Sequence, residues 1–219
     1  MITVDDWKKI TIIEVALLAF QCAIYYGLQF IQGEPHVLGG ALDLMIPFVP
    51  IFIYPYLLWF AVLFLMVIIL YVYSKEALIK YITATAIIYT IAAAIYLIYP
   101  TTFVRTAQEV GGVTGYLIEL TYGMDYRHLN CAPSLHCAMS YLFIMSILQL
   151  KKAPIAIKVF IIFMALLIVA STLLVKQHVV ADAVSALPVA VAGWALSGLI
   201  LSAGKKSPHK LSANAEKCA

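Results

Sequence analysis

The chain has 219 residues, of which 64% are hydrophobic and only 11% charged, and its mean hydropathy is +0.98. Soluble domains carry about 25% charged residues and about 45–50% apolar ones, so the composition excludes a soluble globular protein and a disordered one. Fourteen basic against eleven acidic residues leave a net charge of +3, too small for the electrostatic footprint of a nucleic-acid binder. Four cysteines make no disulfide framework. Cys131 and Cys137 are six apart and no C-x-x-C occurs, so zinc spacing is absent as well. The expectation is an all-α, polytopic membrane protein with one domain.

A helix needs about 20 apolar residues to cross the hydrocarbon core, and six stretches are expected to do so. Ile10–Ile31 is the first, interrupted by Glu14, Gln21 and Gln29. Asp5, Asp6, Lys8 and Lys9 precede it and no small-residue cleavage site follows, so it reads as a retained helix rather than a signal peptide. Ile46–Tyr73 has no charge and carries Pro47, Pro50 and Pro55 near its start, where proline is tolerated. Tyr81–Tyr99 stops at Pro100, and Ser134–Leu150 precedes Lys151 and Lys152. Pro154–Val175 and Val179–Ala203 complete the six, and Gly204–Ala219 is expected to be a polar tail.

Basic residues set the orientation. Lys8, Lys9, Lys75, Lys80, Lys151, Lys152, Lys158, Lys205, Lys206, Lys210 and Lys217 fall on one side of a six-span arrangement, and Arg105, Arg127 and Lys176 on the other. By the positive-inside rule both termini are predicted to be cytoplasmic. The outer face then holds a connection of about 34 residues, Pro100–Pro133, with Arg105, Glu109, Glu119, Asp125, Arg127 and His128; long ordered loops are usually functional. Two short sequences begin helices at the same face: Asn130-Cys-Ala-Pro-Ser-Leu-His136 and Lys176-Gln-His178-Val-Val-Ala-Asp182.

Ionisable residues at membrane depth are costly, so each is a functional candidate. Asp182 follows His178 by four residues, which places both on one helix face. A carboxylate there can accept the imidazole Nδ1–H and leave Nε2 as a nucleophile or base. Pro133 and Ser134 open the helix that carries His136, where free backbone N–H groups and a hydroxyl suit a phosphate. Arg105 and Lys176 could neutralise its oxygens. Two histidines, one oriented by a carboxylate, point to phosphoryl transfer without a metal or other cofactor: one attacks phosphorus and the other protonates the leaving oxygen.

Pro133-Ser-Leu-His136 and Ser171-Thr-Leu-Leu-Val-Lys-Gln-His178-Val-Val-Ala-Asp182 resemble the second and third signatures of the type 2 phosphatidic acid phosphatase superfamily, which also contains the inositol phosphorylceramide and sphingomyelin synthases. Ser171, His178 and Asp182 fit the spacing of the third signature, S-R-x5-H-x3-D, with Thr172 in place of arginine. The first signature, K-x6-R-P, is matched only at Arg105, with Ile98 for lysine and Thr106 for proline. Asp43-Leu-Met-Ile-Pro-Phe-Val-Pro50 is similar to the start of helix 2 in the synthase-like branch. The resemblance implies that His178 forms a phosphohistidine, Asp182 orients it, His136 is the general acid, and Arg105 and Ser134 hold the phosphate. Lys176 or Arg127 is expected to supply the charge missing at Thr172.

The expected activity is lipid phosphate hydrolysis at the outer face of the cell membrane, on a lipid arriving through the bilayer; the alternative is transfer of a phospho-headgroup to a ceramide-like alcohol. Plainer roles exist for several of these residues. Lys176 can snorkel, Ser134 can merely cap its helix, Ser171 can bond a backbone carbonyl, and Arg127 and His128 can be ordinary loop residues. Unpaired thiols are expected at Cys131 and Cys137. A haem carrier using His136 and His178 as axial ligands leaves Asp182, Ser134 and Arg105 without a purpose. The site is expected from residues 100–136 and 171–182 of a membrane domain spanning 1–203, followed by a cytoplasmic tail, 204–219.

Overall fold

In hydrocarbon every backbone polar group must be satisfied within the protein, so long apolar runs become helices. A computed structural model describes residues 7–106, 109–125 and 127–215, with side chains described as far as residue 204. Among the described residues, five helices are long and apolar enough to cross a membrane. They are α1 (Trp7–Leu28), α3 (Ile53–Tyr73, entered through a 3-10 turn at Pro50–Phe52), α4 (Lys75–Ile98), α7 (Ile155–Leu174) and α8 (Val180–Ala215). Three shorter helices accompany them: α2 (Ala41–Met45), α5 (Gly112–Met124) and α6 (Leu135–Leu148).

The fourth expected span is thus α6, with 14 residues, about 21 Å at 1.5 Å per residue. It starts only after Ser134, whose hydroxyl accepts the Cys137 N–H at 3.3 Å as a helix cap. The residues before it are held in a loop with left-handed backbone at His128 and Asn130 (φ 50° and 63°). Short as it is, α6 sits among α4, α7 and α8, with Met139, Leu142, Phe143 and Ile147 fully buried.

Other boundaries shift for local reasons. Ser74 caps α4 by accepting the Ala77 N–H at 3.2 Å, so that helix begins six residues before the apolar run at Tyr81. The backbone of α8 continues through 204–215, where a separate tail was expected, while residues 216–219 lie outside the described residues. Where α4 meets α8, Gly193 lies against Ala84 and Ile88, and the missing side chain lets the backbones approach. A Cβ on Gly193 would lie 2.5 Å from Ile88 Cγ1.

Two three-residue strands depart from the all-α expectation. β1 (His36–Leu38) pairs in parallel with β2 (Thr101–Phe103), in the register His36–Thr101, Val37–Thr102 and Leu38–Phe103. Thr101 then receives the Ala132 N–H on its hydroxyl at 2.8 Å and the Cys131 N–H on its carbonyl at 3.4 Å. Three connections are thereby fastened together at the end of the bundle where α6 and α8 begin.

Candidate active site

The turn between α7 and α8 is built by backbone hydrogen bonds. The N–H groups of Gln177 and His178 both donate to the Thr172 carbonyl at 3.0 Å, and Lys176 adopts φ 52° to reverse the chain. Asp182, in the first turn of α8, is fully buried. Its Oδ2 accepts the Val179 N–H at 3.0 Å and faces His178 Nδ1 at 3.0 Å. The first contact is half of a capping box and the second fixes the imidazole ring. The starts of α6 and α8 are joined directly, because the Ser134 N–H donates to the Asp182 carbonyl at 3.1 Å.

His136, in the first turn of α6, brings the second imidazole to the same place. Its ring stacks on Tyr56 (centroids 4.4 Å apart, planes at 18°) and lies 4.3 Å from the Trp59 ring. The His136 and His178 centroids are 6.3 Å apart. Both histidines line a cavity of about 270 Å³ walled by Tyr25, Tyr56, Trp59 and Phe60 and reached by Asp125 and Gln177. A second recess of about 280 Å³ lies on the other side of His178, beside Asp43, Lys176 and Phe103.

Arg105 reaches this region from the chain after β2. Its Nε donates to the Lys176 carbonyl at 3.1 Å, and one terminal nitrogen donates to Asp125 Oδ2 at 2.9 Å and to Gln177 Oε1 at 3.2 Å. The guanidinium lies 4.0 Å from the Tyr122 ring centroid, an arrangement that suits arginine's flat cation. Asp125 in turn accepts the Tyr25 hydroxyl at 2.5 Å. Burial raises the Asp125 carboxyl from its ordinary value, against the opposing pull of Tyr25 and Arg105. The end of α1 is also fastened: Asn130 donates to the Tyr25 carbonyl at 3.0 Å, and the Gln32 amide donates to Asn130 and to the Tyr96 carbonyl.

The structure therefore gathers His136, His178, Asp182 and Arg105, and places the other candidates differently. Ser134 is buried, with its hydroxyl engaged as the α6 cap. Ser171 is buried and donates to the Ile168 carbonyl at 2.6 Å. Thr172 donates to the Val169 carbonyl at 2.8 Å and touches Cys137 Sγ at 3.6 Å. The Lys176 ammonium donates to the Ile46 carbonyl at 2.6 Å and the Asp43 carbonyl at 3.2 Å. It binds the C-terminal end of α2, where unpaired carbonyls attract cations. Arg127 is exposed, 5.6 Å from the Phe30 ring. Cys131 and Cys137 are free thiols, and Cys218 lies outside the described residues. Among the described residues no three His, Cys, Asp or Glu side chains gather to hold a metal ion.

Sequence reasoning missed a brace. Asp43 Oδ1 accepts the Val180 N–H at 2.7 Å and its Oδ2 accepts the Gly40 N–H at 2.8 Å. A carboxylate from α2, far away in the chain, thus satisfies one of the free donors at the start of α8. The only sequence signal was the similarity of residues 43–50 to a synthase-like stretch, which carries no hint of this contact. Tyr25, Tyr56 and Trp59 carried no motif, Asp125 stood out only as one charge of the long connection, and Gln177 only as a spacer within the third signature.

No curated protein and no solved structure matches the chain. A family model does match, over residues 44–196, and its description is the PAP2 superfamily. That range covers well over half of the chain and contains Arg105, His136, His178 and Asp182. With the family match added to the paired imidazoles and the buried carboxylate behind one of them, the chain belongs to the PAP2 superfamily, that of the type 2 phosphatidic acid phosphatases.

Proposed function

We propose that this protein is an integral-membrane lipid phosphatase that hydrolyses a lipid phosphate monoester or diphosphate through a phosphohistidine on His178. Membership of the PAP2 superfamily suggests phosphatase or phosphotransferase chemistry. The observation that carries the finer reading is the His178 Nδ1–Asp182 Oδ2 contact at 3.0 Å, with Asp182 wholly buried. That carboxylate holds the proton on Nδ1 and leaves the Nε2 lone pair free to attack.

In the first step Nε2 bonds to phosphorus while the bond to the lipid oxygen breaks, and His136 gives that oxygen a proton. In the second, water attacks the phosphohistidine, His136 takes the proton, and inorganic phosphate leaves with His178 restored. Arg105 faces the charge on the phosphoryl oxygens, held at the right height by the Lys176 carbonyl, Asp125 and Gln177. The Tyr56 and Trp59 rings hold the His136 plane, so the general acid is fixed before substrate arrives.

The lysine distribution supports a six-span topology with cytoplasmic termini and a site at the outer face of the cell membrane. Residues 1–203 form the membrane domain in this reading and 204–219 extend into the cytoplasm. A lipid in that leaflet reaches the cavity sideways with its phosphate at headgroup level. A second reading is favoured by Thr172, which stands buried where the phosphatases carry arginine, and by the aromatic wall of the cavity. With one fewer cation and less room for water, a lipid alcohol rather than water accepts the phosphoryl headgroup.

Product analysis separates the two. Purified protein in detergent with EDTA receives phosphatidic acid, a prenyl diphosphate, or a phospholipid mixed with ceramide, beside a His178→Ala control. Inorganic phosphate that needs His178 and survives EDTA is the expected result. Diacylglycerol with a new phospholipid and no free phosphate replaces the first reading with the second. Turnover that persists in His178→Ala refutes both.

A further inference from the structure

One cavity lies far from the histidines. It has a volume of about 590 Å³ and lies where α3 ends, α4 begins, α6 ends and α8 passes by. Along α8, Asp182 and Ser202 are separated by about 20 residues, or about 30 Å. That equals the thickness of the hydrocarbon core. One end of the bundle therefore carries the histidine pair at one headgroup plane, and this cleft lies at the other.

Its walls are basic and polar. Among the described residues Lys80, Lys151 and Lys152 line it, with Glu76 as the one carboxylate. Lys151 and Lys152 are exposed at the turn between α6 and α7. Lys80 is positioned rather than loose: its ammonium lies 3.4 Å from the Trp194 ring centroid. Gly198 leaves space for it, since even a Cβ there would come only to 3.7 Å from Nζ. Gln149 lines the same cleft, and its Nε2 is buried without a hydrogen-bond partner. A buried amide donor without an acceptor is costly, and an acceptor oxygen seated in the cleft would satisfy it. A donor set of three ammonium groups and one amide matches a phosphate and has little to offer a cation.

We infer that this cleft binds the phosphate of an anionic phospholipid from the leaflet opposite the histidine pair. Basic pockets between transmembrane helices at the cytoplasmic interface hold such headgroups. Here the exposed apolar residues of α8 beside it, Leu199 and Ile200, offer a surface for the acyl chains. The site is independent of the reaction at His178: it takes a lipid that is held, not turned over. Its ligand bridges α4, α6 and α8, the helices that form the core of the bundle.

The test is native mass spectrometry of the full chain in detergent, titrated with phosphatidylglycerol, with phosphatidylcholine of the same acyl chains, and with inorganic phosphate as competitor. The tightest phosphatidylglycerol adduct is expected to weaken about fivefold for each lysine removed in Lys80→Gln, Lys151→Gln and Lys152→Gln, and to be unchanged in His178→Gln. The Lys151→Gln/Lys152→Gln pair alters only exposed side chains and guards against a folding defect. Equal affinity for phosphatidylcholine, or an adduct that depends on His178 and ignores the lysines, overturns the inference. Displacement by millimolar inorganic phosphate overturns the lipid as ligand.

Discussion

Replacing Asp182 by asparagine tests the dyad with the least change of shape. In the native site one oxygen, Oδ2, serves both His178 Nδ1 and the Val179 N–H, each at 3.0 Å. The side chain introduced by Asp182→Asn has two ways to sit. With its carbonyl oxygen in the Oδ2 position, both contacts survive as neutral hydrogen bonds, while the amide NH2 takes the place of Oδ1, which has no partner. A charge-assisted bond is about twice as strong as a neutral one, so this orientation loses about 1–2 kcal/mol of support for the charged imidazole. With the amide reversed, its N–H points at Nδ1, the imidazole proton is forced onto Nε2, and no lone pair faces phosphorus.

The first orientation predicts a loss of about tenfold and the second one nearer 10⁴-fold, as in a serine-protease triad when its aspartate becomes asparagine. We expect a fall in kcat of about 10³-fold, with KM within about threefold because Asp182 is buried and touches no substrate. The assay is single turnover of radiolabelled phosphatidic acid with acid and base quenches, following the acid-labile, base-stable phosphoenzyme as well as product. Asp182→Ala removes the Val179 acceptor too, so its further loss of melting temperature isolates the capping contribution. An Asp182→Asn protein that keeps a third of its kcat, or that loses only KM, refutes the role given to this carboxylate.

Other substitutions probe the surroundings. Asp43→Asn leaves one acceptor for two N–H donors, and should lower stability by about 1–3 kcal/mol and kcat by about tenfold, read from detergent melting curves beside turnover. Arg105→Lys gives up the planar fork and the contact with Tyr122 and should cut kcat/KM by about 100-fold, whereas exposed Arg127→Ala should change it less than about twofold. Gly193→Ala forces a methyl group to 2.5 Å from Ile88 Cγ1, at a cost of about 1–3 kcal/mol that Ile88→Ala in the same chain should relieve, measured by unfolding in mixed micelles. His128→Gln tests the acid limb of stability. Burial lowers the His128 pKa from 6.5 to about 4, so the unfolded chain takes up the proton first and stability falls as pH drops through that window. The variant should flatten the slope between those values; Asp125, raised by burial, acts in the opposite direction, so melting temperatures of the two proteins are compared at each pH.

What the sequence disclosed was whatever repeats at short range. Apolar runs located the long helices, because periodicity is a property of one helix; the four-residue spacing of His178 and Asp182 also paired them, although His178 stands in the turn two residues before α8 and only Asp182 is helical. The length of α6 was not legible in its apolar run, since a cap at Ser134 and left-handed residues before it decide where the helix can start. Lys176 looked like a phosphate ligand by charge alone. Its φ of 52° reverses the chain there, and its ammonium joins the carbonyl end of α2. The pairing of β1 with β2, and the contacts of Asp43 with Val180 and of Tyr25 with Asp125, cross about 65 to 137 positions and leave no periodic trace.

Those long-range contacts also bear on how Arg105 would meet a phosphate in the proposed reaction. Arg105 is not a bare cation, since Asp125 already neutralises it at 2.9 Å. An incoming phosphate must therefore share the guanidinium with a carboxylate or displace it, and ground-state binding gains less than an unpaired arginine would give. The transition state spreads more charge over the phosphoryl oxygens, and a guanidinium held by the Lys176 carbonyl, Asp125 and Gln177 cannot drift toward the ground state. Only interactions stronger in the transition state than in the bound substrate raise kcat, and in the proposed mechanism an arginine restrained in this way would contribute to that difference, with Thr172 in place of a second cation.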